Sequence, residues 1–244
     1  MTSPAEKSVI LTALQKGDIT LQGQFLNSSN YTFLGLLEYE SLQTRVVYKP
    51  ARGERPLWDF PPATLARREA AAYIVSEVLD WELVPPPVYR RQKIPAGAGS
   101  LQLFIEHDPE YHYFNFKPAD RRRLRPVVLF DLAVNNADRK GGHILIDPND
   151  HLWLIDHGVC FHEEEKLRTV IWDFSGETIP SSLIDDLQRL RQELETGGAM
   201  RQRLTKLLSP TEINALQERT RRLIERGIFP APDQIRRPFP WPPV

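Results

Sequence analysis

The residues best able to do chemistry lie in two short segments. The first is Asn135-Asn136-Ala137-Asp138-Arg139-Lys140-Gly141-Gly142-His143, running on into Ile144-Leu145-Ile146-Asp147, and the second is Leu154-Ile155-Asp156-His157-Gly158. Asp138 and Asp156 each sit beside an apolar, strand-like run, and between them His143 is a candidate metal ligand. Two carboxylates so placed suit phosphoryl transfer. One orients and deprotonates an attacking hydroxyl, and the other, where a strand meets a loop, holds the magnesium that bridges nucleotide phosphates. The 18 positions separating them leave room for a loop, a two-stranded ribbon and a return to the same cleft.

Such a site also needs a cation against the phosphates. Lys49 ends the run Arg45-Val46-Val47-Tyr48-Lys49, where its stem can pack while its amine reaches outward. Glu69 falls on the apolar stripe of the next predicted helix, an unusual place for a charge unless it holds a partner. Taken singly, Lys49 and Glu69 read as surface charges, Asp138 as a helix cap or a partner of Arg139, and Asp156-His157-Gly158 as a turn. The order strand lysine, helix glutamate, Asp138, Asp156 is what favours a shared site.

The elements that must position these groups are legible in outline. Residues 5–15 have helix-forming composition and stop at Gly17; extended runs follow at 19–26, 31–39 and 44–48, bounded by turn residues, and predict an antiparallel meander. A helix is predicted from about 63 to 79, with Leu65, Glu69, Ala72, Tyr73 and Ser76 along one stripe, and a further strand at 101–105. The second half reads as mainly helical: a helix over 121–135, a ribbon at 144–146 and 152–155, a helix over 182–194, and a last helix opened by Ser209-Pro210-Thr211-Glu212 and stopped by Gly227. The six prolines between 230 and 244 predict an extended tail, either packed on the surface or loose. The fold class expected is α+β, with two lobes. Residues 1–106 would form an N-terminal lobe of sheet and helix, 107–229 a mainly helical C-terminal lobe carrying the catalytic and metal-binding loops, and 230–244 a proline-rich tail.

Composition bounds the function classes. A formal charge of -1 over 244 residues gives no global basic surface of the kind that binds nucleic acid, and no apolar run approaches the roughly 20 residues that span a bilayer. One cysteine, Cys160, excludes an internal disulfide, and the first residues lack the plan of a secretory signal, so a cytoplasmic location is expected.

From about Gly23 to Phe174 the chain resembles the phosphatidylinositol 3- and 4-kinase-like branch of the protein-kinase fold, which also includes HipA-type serine kinases, and within it a group of small bacterial proteins of unassigned substrate. The resemblance rests on Val46-Val47-Tyr48-Lys49-Pro50, Arg52-Gly53-Glu54-Arg55-Pro56-Leu57-Trp58-Asp59-Phe60, the Asp138 loop and Asp156-His157-Gly158. It implies an ATP-dependent phosphotransferase acting on a hydroxyl. Lys49 would bind ATP phosphates with Glu69 paired to it, Asp138 would be the catalytic aspartate, Asp156 would bind magnesium, and Gln102-Leu103-Phe104-Ile105-Glu106 would be the hinge that reads adenine.

Departures from the family pattern carry their own expectations. The catalytic loop of the lipid kinases reads Asp-Arg-His-x-x-Asn, so Lys140 replaces its histidine and His143 its metal-binding asparagine. A cation at 140 still stabilises a transferring phosphoryl group. Imidazole at 143 suits manganese or zinc better than magnesium. The loop 23–30 lacks a Gly-x-Gly-x-x-Gly pattern, leaving backbone N–H groups and the hydroxyls of Ser28 and Ser29 to contact phosphate. After Asp156, the run 161–169 is as acidic as basic, which disfavours a phosphoinositide headgroup and leaves a protein or small-molecule hydroxyl as acceptor. Two other classes stay open: a nucleotide-binding regulatory module with weak or no catalysis, and a metal site drawn from His143, His157, Cys160 and His162.

Overall fold

In the computed structural model, which describes residues 4–26, 30–195 and 197–244, the first hundred residues build a sheet and the remainder packs mainly as helices. Helix α1 (Pro4–Lys16) leads into β1 (Asp18–Gln24), β2 (Phe33–Tyr39) and β3 (Leu42–Pro50). Helix α2 (Leu65–Leu79) follows, then β4 (Pro87–Arg90) and β5 (Gly99–Leu103). The five strands pair antiparallel in the order β1-β2-β3-β5-β4. Alternation in β3 turns Val46 and Tyr48 into a small core with Leu37, Val88, Leu101 and the α1 residues Ala13 and Leu14. Lys49, one step out of phase, is thereby aimed at the opposite face, and its register partner is Ser100 of β5.

Nearly every side chain of α2 is buried, because the helix lies against β4 and β5 on one side and against C-terminal helices on the other. That is why its apolar residues do not confine themselves to the one stripe the spacing predicts. Two charges are buried in it as well. Glu69 belongs to the site below, and Arg68 is satisfied by Glu212 and by the Cys160 carbonyl oxygen at 2.5 Å.

The predicted helix over 121–135 is in fact two, α3 (Pro118–Arg122) and α4 (Arg125–Val134). Pro126 is the cause: with no N–H and a ring that would meet the carbonyl of residue 122, it is tolerated only in a first helical turn, and Leu124 becomes the cap before it. Strand β4 escaped the sequence reading because Pro85-Pro86-Pro87 looks like a loop, yet proline is allowed as the first residue of a strand. A short ribbon of β6 (Ile144–Ile146) and β7 (Leu152–Leu154) follows α4, and then helices α5 (Ser181–Glu193), α6 (Ala199–Leu204) and α7 (Pro210–Arg226). Helix α6 was not predicted; the Gly197-Gly198 pair that ends one helical pattern also supplies its cap. At α7 the capping box forms as read, with Ser209 Oγ accepting from the Glu212 amide and Glu212 reaching back to the Ser209 amide, and Gly227 stops the helix at φ 62°. The large core joins α2, α4, α5, α6, α7 and the ribbon. No helix among the described residues is long and apolar enough to cross a membrane.

Candidate active site

The site forms where β3, α2, the loop after α4 and the loop after β7 meet. Lys49 Nζ lies 2.5 Å from Glu69 Oε1 and 2.9 Å from Asp156 Oδ1, joining strand, helix and metal-loop candidate in one contact set. The second Glu69 oxygen accepts the His157 amide at 2.9 Å, so a glutamate 3% exposed uses both oxygens. Burial alone would depress the Lys49 ammonium, but Asp156 and Glu69 overcome it and hold the amine protonated. Desolvation works against the Asp156 charge too, and Lys49 and His143 outweigh it, keeping this carboxyl well below the usual carboxylate range.

Across the cleft, α4 ends at Asn135 in the left-handed region (φ 56°), which turns the chain sharply into the loop bearing Asp138. Asn135 fastens the segment after Asp156 as well: its amide donates to the His162 and Glu164 carbonyls, and its oxygen accepts the Lys166 amide. Lys140 Nζ is 3.5 Å from Asp138 Oδ2, and His143 Nε2 is 3.4 Å from Asp156 Oδ2. Contacts therefore run without a break from Lys140 and His143 through Asp156 and Lys49 to Glu69. Asp138 is pushed up to about 6, mainly by burial and further by Asp156, with Lys140 opposing. A carboxyl so tuned titrates just below neutral pH, where a general base is useful.

His143 is pushed down to about 4 by burial and is neutral at pH 7. Its Nδ1 faces the Lys140 N–H at 3.4 Å and must accept there, which places the ring proton on Nε2, toward Asp156. Holding a cation at Nε2 would require the other tautomer and loss of that contact.

Arg139 entered the sequence reading only as a partner for Asp138 in the alternative where that acid has no catalytic part, and the structure gives it another place. Arg139 is fully buried, and its partner is Asp131 of α4 rather than Asp138, through bonds of 3.0 to 3.2 Å. It also donates to the Ile155 carbonyl at 2.8 Å and, through Nη2, to His157 Nε2 at 2.8 Å. Because guanidinium only donates, Nε2 accepts and the proton sits on His157 Nδ1, an atom without a hydrogen-bond partner among the described residues. Arg139 thus ties the Asp138 loop to the Asp156 loop, while His157 packs edge-on to Phe130 as a structural residue. The only sequence signal was an acid in the middle of an otherwise apolar helix at Asp131.

The remaining candidates are scattered in their circumstances. Ser28 and Ser29 lie outside the described residues. Gln102 is buried, with its amide donating to the Pro85 carbonyl. The Leu103 and Phe104 amides donate to Pro86 and Arg45, so both are already committed. The four-residue metal set does not assemble: His157 and Cys160 are fully buried, His162 bonds the Asp59 carbonyl, and no group of three or more His, Cys, Asp or Glu side chains among the described residues could hold an ion.

Comparison with known proteins now bears on this geometry. A family model described as Phosphatidylinositol 3- and 4-kinase matches residues 51–212, about two thirds of the chain. The chain belongs to that family. Protein Rv2133c of Mycobacterium tuberculosis is 37% identical over 264 residues, covering 94% of this chain and 93% of its own. Phosphatidylinositol 4-kinase gamma 4 of Oryza sativa subsp. japonica is 32% identical over 124 residues, which is 44% of this chain and 22% of the plant protein. Among solved structures, the Golgi casein kinase with Mn/ADP bound aligns at a TM-score of 0.60 and 14% identity, over 92% of this chain and 76% of that one, a likeness of fold. Family and fold together support a kinase-like phosphotransferase.

Proposed function

We propose that this member of the phosphatidylinositol 3- and 4-kinase family transfers the terminal phosphoryl group of ATP to a hydroxyl of a protein or small molecule. The observation that carries the reading is the convergence of Lys49, Glu69, Asp138, Lys140 and Asp156 from four separate segments on one cleft. ATP with a divalent cation supplies the activated phosphoryl group and charge neutralisation. Lys49, steered by Glu69, binds phosphate oxygens. Asp156, about half exposed and strongly ionised, offers oxygens to the cation, magnesium or manganese. Asp138 accepts the proton of the attacking hydroxyl, and Lys140 lies beside it to offset phosphate charge. Adenine is read at the crossing between lobes, by the backbone of the Gln102-Leu103-Phe104-Ile105-Glu106 run.

A second reading, a nucleotide-binding regulatory module with weak catalysis, draws on His143, whose tautomer points a proton at Asp156 where the family pattern has an asparagine oxygen. The test separates the two. ATP with magnesium or manganese raises the melting temperature of the parent protein and leaves that of Lys49→Ala unchanged. Labelled phosphate incorporation, lost in Asp138→Ala, establishes catalysis; a nucleotide shift without incorporation favours the regulatory reading, and no shift at all refutes both.

A further inference from the structure

A second cavity, of about 640 Å³, lies away from Lys49, between α7, the segment 164–172 and the tail at 230–238. Seven of its lining side chains are Arg or Lys, against three carboxylates. Those carboxylates are largely occupied: Glu165 pairs with Arg222, Glu164 with Lys166, and Asp233 accepts the backbone amides of Ile235 and Arg236. Arg168, Arg226 and Arg237 have no carboxylate within 4.0 Å among the described residues.

Arg219 is the decisive residue. It is only 4% exposed, its Nε donates to the Ala133 carbonyl at 2.9 Å and its Nη1 to the His162 carbonyl at 3.1 Å. Its Nη2 is shielded from solvent and has no hydrogen-bond partner among the described residues, other parts of the residue line the cavity, and no carboxylate among the described residues lies within 4.0 Å of the guanidinium. A buried cation with an idle donor is expensive to keep unless something anionic meets it. The apolar wall of Leu132, Trp172 and Leu223 lowers the local dielectric and strengthens any such contact. The volume is that of a small-molecule site rather than of a trapped water.

We propose that this cavity binds a phosphate monoester, with Arg168, Arg226 and Arg237 donating to the three terminal oxygens of the dianion and the Arg219 guanidinium, set behind the wall, adding its uncompensated charge. The site is built onto the catalytic loop. Arg168 accepts the Arg139 amide and donates to the Asn136 carbonyl, so an occupant would sit one strand pairing away from Asp138. The assignment does not depend on the phosphotransferase reading, since neither Lys49 nor Asp156 lines the cavity.

Calorimetric titration tests it with two soluble probes, inorganic phosphate and glycerol 2-phosphate, on the 244-residue chain carrying Lys49→Ala so that the nucleotide cleft does not contribute. Binding should persist there, weaken about tenfold or more in the added double variant Arg226→Gln/Arg237→Gln, and stay unchanged in Arg221→Gln, whose side chain is on the far surface of α7 and outside the cavity. Arg219→Met should behave like the double variant; because Arg219 also holds two carbonyls, its melting temperature is read alongside, and the double variant decides. Phosphatidylcholine vesicles with and without phosphatidic acid distinguish the source of the phosphate: soluble binding assigns a free ester, and binding to phosphatidic acid vesicles alone, lost in the double variant, assigns a lipid headgroup. Binding by neither source, binding abolished by Lys49→Ala, or affinity indifferent to the arginine variants overturns the proposal.

Discussion

Replacing Asp138 by asparagine should make the protein more stable and inactive at once. Asp138 rises from the ordinary 3.8 to about 6, chiefly because the loop buries it. A group raised in the folded state stabilises it fully below pH 3.8, and that contribution disappears as pH climbs through about 6. At neutral pH the native protein therefore carries the penalty of an ionised carboxylate that it would rather keep protonated. At about 1.36 kcal/mol per tenfold, the rise from 3.8 to about 6 sets a ceiling of about 3 kcal/mol. A third of the side chain is open to solvent, at 33%, so screening reduces this to roughly 1–2 kcal/mol. Asparagine mimics the protonated acid in shape and removes the penalty, but it cannot accept a proton, so phosphate incorporation should fall by about 100-fold or more. Urea unfolding of both proteins from about pH 4 to about pH 8 reads the difference, in which contributions from all other groups cancel. The curves should coincide at the acid end and separate in favour of Asp138→Asn through pH 6. A variant less stable than the parent at neutral pH, or a gap that does not change with pH, would refute the reasoning.

Two further outcomes follow from the supports of the loop. Arg139→Met should cost about 3–5 kcal/mol in urea unfolding, because it strands Asp131, 1% exposed, with the Asn136 amide as its surviving side-chain donor; a loss under about 1 kcal/mol would mean the buried pair is not what fastens the two loops. Gly141→Ala places a methyl 2.9 Å from the Phe114 ring and 3.5 Å from the Pro243 carbonyl oxygen. Phe114 is half exposed and can yield, so the stability loss should stay near 1 kcal/mol. Phosphate incorporation should drop much further, since Lys140 and His143 flank the displaced glycine, and equal retention of activity and stability would contradict that.

Local chemistry made most of the elements readable. The aromatic-flanked apolar run of β2, the β-branched run of β3, the capping box of α7 and the glycine at 227 each act within a few residues, and that is the range over which propensity and turn chemistry operate. Where the reading failed, the deciding interaction was positional. Pro126 splits one apolar pattern into two helices, and β4 hides behind three prolines because its partner, β5, is what makes it a strand. The tail shows the same limit: its composition predicts an extended segment, but only contacts far along the chain, Thr169 to Pro238 and Gly141 to Pro243, set it against the catalytic loop.

By itself the sequence determined which groups are available: a lysine at the end of a strand, a glutamate in a helix too buried to tolerate it alone, and two acids bracketing a ribbon. Residue types and short spacings carry that information because backbone geometry converts it directly into faces and caps. The tertiary structure alone decided which groups meet. Lys49 and Asp156 are 107 residues apart in the chain and 2.9 Å apart in space; Arg139 bonds Asp131 rather than its neighbour Asp138; and three remote segments close around Arg219. Long-range encounters of this kind are chosen by the burial of apolar surface over the whole core. The charged side chains then take the partners that burial brings within reach, since a buried charge without one is too costly to keep.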